Sequence, residues 1–272
     1  MTSGAESFDV VAAAEEDESI RETYGPGAQV ERQNFAYLER ALSRARRRDR
    51  LRFMRDLPAI TEIERLPSPA PTPQALTWHR GELWFGSRDL QRVYRMDCQN
   101  WKVVEEMKAP GTPWAAVSAG DLLWFTLGEG AEDDRYLWRY VSGKGFSERD
   151  RIPCPEFTGS YLSYDGEHLY LSQWYKHRIL GLDNKGNITR EIAIGAEISG
   201  HVFVDGLIYV LLGTEQNGGD WRLARVDPRE ATPRIEELAR VPFQCRSLAF
   251  DGKRLWTNHR EVDRIVCFAM AG

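Results

Sequence analysis

Five phrases in the chain, HRGELWF, SAGDLLWF, YDGEHLYL, VDGLIYV and FDGKRLWT, share one plan. A glycine-bearing turn is followed three or four residues later by an aromatic: Trp84, Trp124, Tyr170, Tyr209 or Trp256. Such a turn between apolar runs predicts a β-hairpin, because the tightest hairpin turns require positive φ. Six residues before each aromatic stand Trp78, Ser118, Tyr164, Phe203 and Phe250, on the opposite arm. Successive second-arm aromatics are 40, 46, 39 and 47 residues apart. That period accommodates four short strands, and a repeat of this size buries its apolar faces only by stacking on its neighbours.

The third and fourth strands are visible in the same units. RVYRMD, YLWRYV, RILGLD, RLARVD and RIVCFA supply a third run, and VVEEMK, RDRIP, ITREIAI and IEELARV a more polar fourth. The fifth unit reaches Gly272 without a fourth run, while TEIERLP stands before the first hairpin. The pattern predicts an all-β, five-bladed β-propeller over residues 58 to 272, in which residues 61 to 66 provide the outer strand of the last blade. Closure of that kind covers strand edges that would otherwise invite aggregation.

Within the propeller class, ELWFGSRDLQRVYRMD and HLYLSQWYKHRILGLD resemble repeats of bacterial and plant-type glutamine cyclotransferases and of quinoprotein-like and NHL-like propellers. The resemblance spans residues 61 to 272 and lies in blade-building positions. It implies the propeller fold, and it suggests, as the alternative to a binding module, an enzyme of cyclotransferase or lyase type.

Two segments precede the repeats. Residues 1 to 27 carry seven acids against one arginine and read as a disordered acidic tail. Residues 28 to 57 carry nine arginines against four acids, and Phe35, Leu38, Leu42 and Ala45 recur at helical spacing. The expectation is a basic amphipathic helix bounded by Pro58, with Arg44, Arg46, Arg47 and Arg48 available to a protein partner. The remaining body is mildly acidic, which argues against nucleic acid as a ligand. No run approaches the roughly 18 apolar residues of a membrane span, and no export signal is evident, so a soluble cytoplasmic protein is expected. Cys98, Cys154, Cys245 and Cys267 lie far apart without metal-ligand spacing, and read as free thiols.

In a propeller the loops entering each first strand and leaving each second strand converge on one mouth of the central channel. Ten residues before the second-arm aromatics stand Gln74, Trp114, Ser160, Ser199 and Arg246. Shortly after them come Ser87 and Arg88, Glu129, Gln173 and Trp174, Thr214 and Glu215, and Asn258 and His259. Where five copies agree they report packing; where they differ they mark a candidate site. Gln74, Arg88, Trp114, Gln173, Trp174, Arg246 and Asn258 are the expected ligand-binding residues, suited to a polar or anionic small molecule or a peptide end. Were the protein an enzyme, Glu129, Glu215 or His259 would be the acid or base. No GxSxG, HxxxH or phosphate-loop pattern occurs, which leaves the cofactor unassigned and predicts no metal centre. The turn acids Glu132, Asp133 and Asp134 lack EF-hand spacing. His201 falls where the other blades have Leu76, Ala116, Leu162 and Leu248, and reads as a satisfied core histidine.

Overall fold

The computed structural model describes residues 57–213, 220–230 and 233–270. The expected acidic tail and nearly all of the basic helix, including Arg44, Arg46, Arg47 and Arg48, lie outside them, as does Glu215. The described strands form five four-stranded antiparallel sheets. After β1 (Glu62–Pro67), the first sheet holds β2 (Pro73–His79), β3 (Glu82–Ser87), β4 (Arg92–Asp97) and β5 (Lys102–Lys108). The second holds β6 (Thr112–Ala119), β7 (Leu122–Glu129), β8 (Asp134–Val141) and β9 (Gly145–Pro153). The third holds β10 (Leu162–Tyr164), β11 (Leu169–Gln173), β12 (Arg178–Leu182) and β13 (Ile188–Ala193). The fourth holds β14 (Ile198–Val204), β15 (Leu207–Leu212), β16 (Trp221–Val226) and β17 (Glu236–Val241). The fifth consists of β18 (Cys245–Phe250), β19 (Leu255–His259) and β20 (Arg264–Phe268), with β1 as its outer strand, Glu62 opposite Phe268 and Leu66 opposite Ile265. The first strands β2, β6, β10, β14 and β18 neighbour one another in a ring, β18 meeting β2.

The hairpin turns follow their residues. Arg80 and Gly81 have φ of 53° and 80°, and Asp205 and Gly206 have 51° and 78°, which two-residue turns of the primed type require. The blade-three and blade-five turns are longer, and an aspartate holds each. Asp165 Oδ1 accepts the N–H groups of Glu167 and His168, and Asp251 Oδ1 those of Lys253 and Arg254. The repeated aromatics then pack between blades. Trp84 meets Tyr140 of blade two at 5.0 Å, Tyr170 meets Phe203 of blade four at 4.7 Å, and Trp256 meets Trp78 of blade one at 5.4 Å. Each such burial contributes on the order of 1.5–3 kcal/mol. Trp124 is the exception and stays half-buried.

His201 crosses the seam between blades three and four. Its Nδ1 accepts the Ser163 hydroxyl at 2.7 Å, and its Nε2–H donates to the Tyr161 carbonyl at 3.1 Å. Burial lowers its pKa to about 4, so the imidazole is neutral. The four cysteines are free thiols.

Candidate functional site

The column Gln74, Trp114, Ser199 marks one backbone event. In β2 the register slips between Pro73 and Ala75, in β6 between Pro113 and Ala115, and in β14 between Ile198 and Gly200, leaving those three residues as bulges. In β18 the slip falls between Arg246 and Ala249, with Ser247 at a φ of 57°. A bulge breaks the ladder, re-aims its side chain and leaves backbone groups to be satisfied otherwise. Second-strand hydroxyls do that work here: Thr257 Oγ1 donates to the Ser247 carbonyl at 2.7 Å, and Ser172 Oγ accepts the Tyr161 N–H at 3.0 Å.

At this end of the ring a cavity of about 410 Å³ is lined by Arg88, Trp114, Arg135, Ser160, Tyr161, Trp174, Tyr175, Glu197, Arg246 and Arg260. Four of the expected ligand-binding residues therefore meet around one space: Arg88, Trp114, Trp174 and Arg246. The other three are placed elsewhere. Gln74 is fully buried and joins cavity residues: its Nε2 donates to the Tyr161 hydroxyl at 3.1 Å, and its Oε1 accepts Arg260 Nη1 at 2.9 Å. Asn258 is also fully buried and donates through Nδ2 to the Gln74 carbonyl at 3.0 Å. Gln173 holds loops, donating to Thr158 Oγ1 at 2.7 Å and accepting Arg178 Nε at 2.7 Å.

Of the expected acid/base residues, Glu215 lies outside the described residues, and Glu129 and His259 do not line this cavity. Glu129 accepts Trp138 Nε1 at 2.7 Å and both Arg151 Nε and Nη2, at 3.1 and 2.9 Å. His259 turns towards β1, where Nδ1 accepts Arg65 Nη1 at 2.8 Å and the ring stacks on Phe243 at 4.5 Å. Burial, then the Arg65 charge, lowers its pKa, against the pull of Glu62. Asp133, from the acidic turn of blade two, ion-pairs with Arg135 and accepts Trp114 Nε1 at 3.1 Å. Among the described residues no cluster of three or more histidine, cysteine or acidic side chains forms a metal site.

Indole faces hold the guanidinium groups. The Arg135 guanidinium lies 3.9 Å from the Trp114 ring and that of Arg88 5.7 Å from the same ring, while Arg246 lies 4.8 Å from both Trp174 and Trp221. Such stacking fixes the plane of the donor fork. Burial, reinforced by the Arg246 charge, lowers the pKa of Arg260. Burial raises that of the Tyr161 phenol, which Arg246 opposes, so the phenol keeps its proton.

Arg135, Tyr161, Tyr175, Glu197 and Arg260 were not among the expected ligand-binding residues, and for Arg135 a signal existed. Each third strand carries an arginine near its start, Arg92, Arg135, Arg178, Arg222 and Arg264, opposite Ser87, Gly128, Gln173, Leu212 and His259. In blades one, three and four it pairs with a fourth-strand glutamate: Arg92 with Glu106, Arg178 with Glu191, Arg222 with Glu237. Those glutamates lie opposite Tyr94, Leu180 and Ala224, and the matching residue of blade two is Ile152, opposite Leu137. Lacking the outer carboxylate, Arg135 stacks on Trp114 and donates to the Gly159 carbonyl at 3.0 Å. Gly128 makes room for this: a Cβ there would collide with Asp133 Oδ1 and crowd Trp114 Nε1.

Comparison with known proteins agrees on architecture. No protein-family model matches the chain, and no curated protein does. Among solved structures, glutaminyl cyclase from Myxococcus xanthus superposes with a TM-score of 0.60 at 12% identity, over 77% of this chain and 95% of that one. The PQQ-bound aldose sugar dehydrogenase from Streptomyces coelicolor gives 0.53 at 14% identity, over 78% and 98%. A luciferin-regenerating enzyme gives 0.51 at 11% identity, over 79% and 96%. At these identities the likeness is one of fold. The protein is a five-bladed β-propeller with an arginine- and tryptophan-lined mouth.

Proposed function

We propose that the protein is a binding module whose channel mouth takes an anionic small molecule or peptide. The observation that carries this reading is the lining itself: among the described residues it holds four arginines against one carboxylate, with guanidinium planes held by tryptophan faces. A carboxylate or phosphate is the complementary group, since both accept two parallel N–H bonds from an arginine fork. Tyr161 and Ser160 add neutral donors to the same wall. In this reading Gln74 and Asn258 position Arg260 and Tyr161 without touching ligand.

A turnover reading of cyclotransferase or lyase type needs a proton-transferring group on the cavity wall. Glu129 and His259 do not line it, so among the described residues that reading turns to Glu197 and Tyr161, with Glu215 outside them. A thermal-shift series with acetate, citrate, phosphate and glutamate on the full chain tests the binding reading. A compound at about 100 times its Kd should stabilise the native state by roughly 2.7 kcal/mol. Loss of the shift in both Trp114→Ala/Arg246→Ala and Arg88→Ala supports the mouth as the site. A shift unchanged in both variants, or no shift with any anion, overturns it.

A further inference from the structure

Resting on the anionic reading of the mouth, we infer that its ligand is an acidic peptide: a chain whose carboxylates enter the arginine-lined cavity while neighbouring apolar side chains lie on the rim. The cavity, at about 410 Å³, has the volume of a small-ligand pocket and admits a small anion or the end of a peptide chain, so the choice between them rests on the surface around it. Apolar side chains are also exposed beyond the cavity wall at this end. Among the described residues, Leu90, Phe157, Tyr175 and Val262 are exposed on loops at this end of the ring, Tyr175 at 91% and Phe157 at 48%. Large apolar side chains exposed on several loops of one end are what an extended partner can cover, whereas a free carboxylate would leave all four in water.

The loops that carry two of these side chains are built to keep them outward. Phe157 ends the turn Pro155–Phe157, where Glu156 and Phe157 have φ of 58° and 55°, a left-handed conformation unfavourable for side chains of this size. It is held by the Phe157 N–H bond to the Cys154 carbonyl, at 2.9 Å, and by Glu156, which pairs with Lys176 and with Arg178 at 2.9 Å. Lys176 belongs to the next turn, Trp174–Lys176, which carries Tyr175 into solvent and places Trp174 on the cavity wall. Gln173 ties the two turns again through the Pro155 carbonyl, at 3.1 Å. Backbone strain kept by a network of ion pairs, with an apolar side chain displayed at its end, is the arrangement expected of a preformed docking surface. Charge selects the peptide: the wall holds arginines, so the partner's carboxylates enter and its aromatic or aliphatic residues meet Tyr175 and Phe157.

The experiment is fluorescence anisotropy on the full chain with two labelled eight-residue peptides of equal charge, one alternating Glu with Phe and one alternating Glu with Ser. Burial of one or two aromatic rings should make the Glu/Phe peptide bind about tenfold more tightly or better. A Leu90→Ser/Phe157→Ser variant, which changes two exposed side chains that do not line the cavity, should reduce that advantage and leave the Glu/Ser affinity unchanged. Equal affinity for both peptides, with either lost in Arg88→Ala, overturns the peptide inference and leaves the anionic mouth standing. Failure of both peptides and of free glutamate and phosphate overturns the two together. An oligonucleotide of the same charge that binds as tightly as the Glu/Phe peptide also overturns the inference.

Discussion

The two ends of the ring are made from the same repeat and use it differently. At the end where first and second strands turn, the copies converge: glycine at the turn, an aromatic just beyond it, and a partner across the seam, as Trp256 meets Trp78 and Trp84 meets Tyr140. At the mouth the copies diverge. The corresponding positions hold glutamine, tryptophan, serine and arginine on bulged strands, and the space between them collects guanidinium and indole groups. Positions that agree report what a blade needs in order to stack. Those that disagree report what this ring was given besides stability.

If that contrast is right, stability should be concentrated at the turn end. Trp256 is 2% exposed, packs on Trp78 and donates through Nε1 to Asp251 at 2.8 Å. Trp256→Ala should cost about 3–5 kcal/mol in urea denaturation, from lost burial and the cavity left behind. A loss below about 1 kcal/mol would mean that the seam between blades five and one relaxes freely, and the contrast would fail.

The seam between blades three and four supplies the next largest effect, and it depends on pH. His201 ionises near pH 6.5 when unfolded and near 4 when folded. Its depressed pKa means the folded chain resists a proton that the unfolded chain takes up. The stability it contributes is complete above pH 6.5 and is lost as pH falls towards 4, amounting to roughly 3 kcal/mol. Denaturation midpoints across that window should fall steeply in the native protein and more gently in His201→Gln. Parallel profiles would show that His201 is not the titrating group.

The fold was legible because packing imposes period. Five glycine turns, each with an aromatic three or four residues on, gave the blade count, and the orphan TEIERLP pointed to the strand that pairs with β20. The candidate site was legible only in part. Aligning the copies found Trp114, Trp174, Arg88 and Arg246, because bulges and loop exits occupy fixed places in the repeat. It also offered Gln173, Asn258, Glu129 and His259, since sequence offset locates a backbone position and not the direction of a side chain. Arg135 was not singled out at all. It is one of five matching arginines, and the presence of Ile152 where other blades have Glu106, Glu191 and Glu237 distinguishes it. That comparison pairs strands three and four within each blade, and a reading along the chain for single motifs passes over it.

Gly128 tests whether the Arg135 arrangement is demanded by the backbone. With alanine there, the new methyl meets Asp133 Oδ1 and lies 2.9 Å from Trp114 Nε1, so both must move. Overpacking of this kind costs about 1–3 kcal/mol, and here it also displaces a cavity wall. Gly128→Ala should therefore lower the urea midpoint moderately and weaken anion binding. Unchanged binding in a destabilised Gly128→Ala protein would detach the Trp114–Asp133–Arg135 group from the site.

The smallest expected change in stability sharpens the contrast most. Arg88 is exposed, the nearest carboxylate among the described residues, Asp89, is 3.9 Å away, and its guanidinium lies 5.7 Å from the Trp114 ring. None of these contacts is close enough to hold the fold, and Arg88→Ala should change stability by no more than about 0.5 kcal/mol. Its effect on binding should be larger, because a charge-assisted hydrogen bond to a carboxylate contributes roughly 1.5–3 kcal/mol. Arg88→Lys then separates charge from shape: lysine keeps the cation but loses the planar fork and the indole contact. Affinity for citrate intermediate between wild type and Arg88→Ala would show that the fork matters beyond its charge. Wild-type affinity in the lysine variant would reduce the role of this residue at the mouth to its field alone.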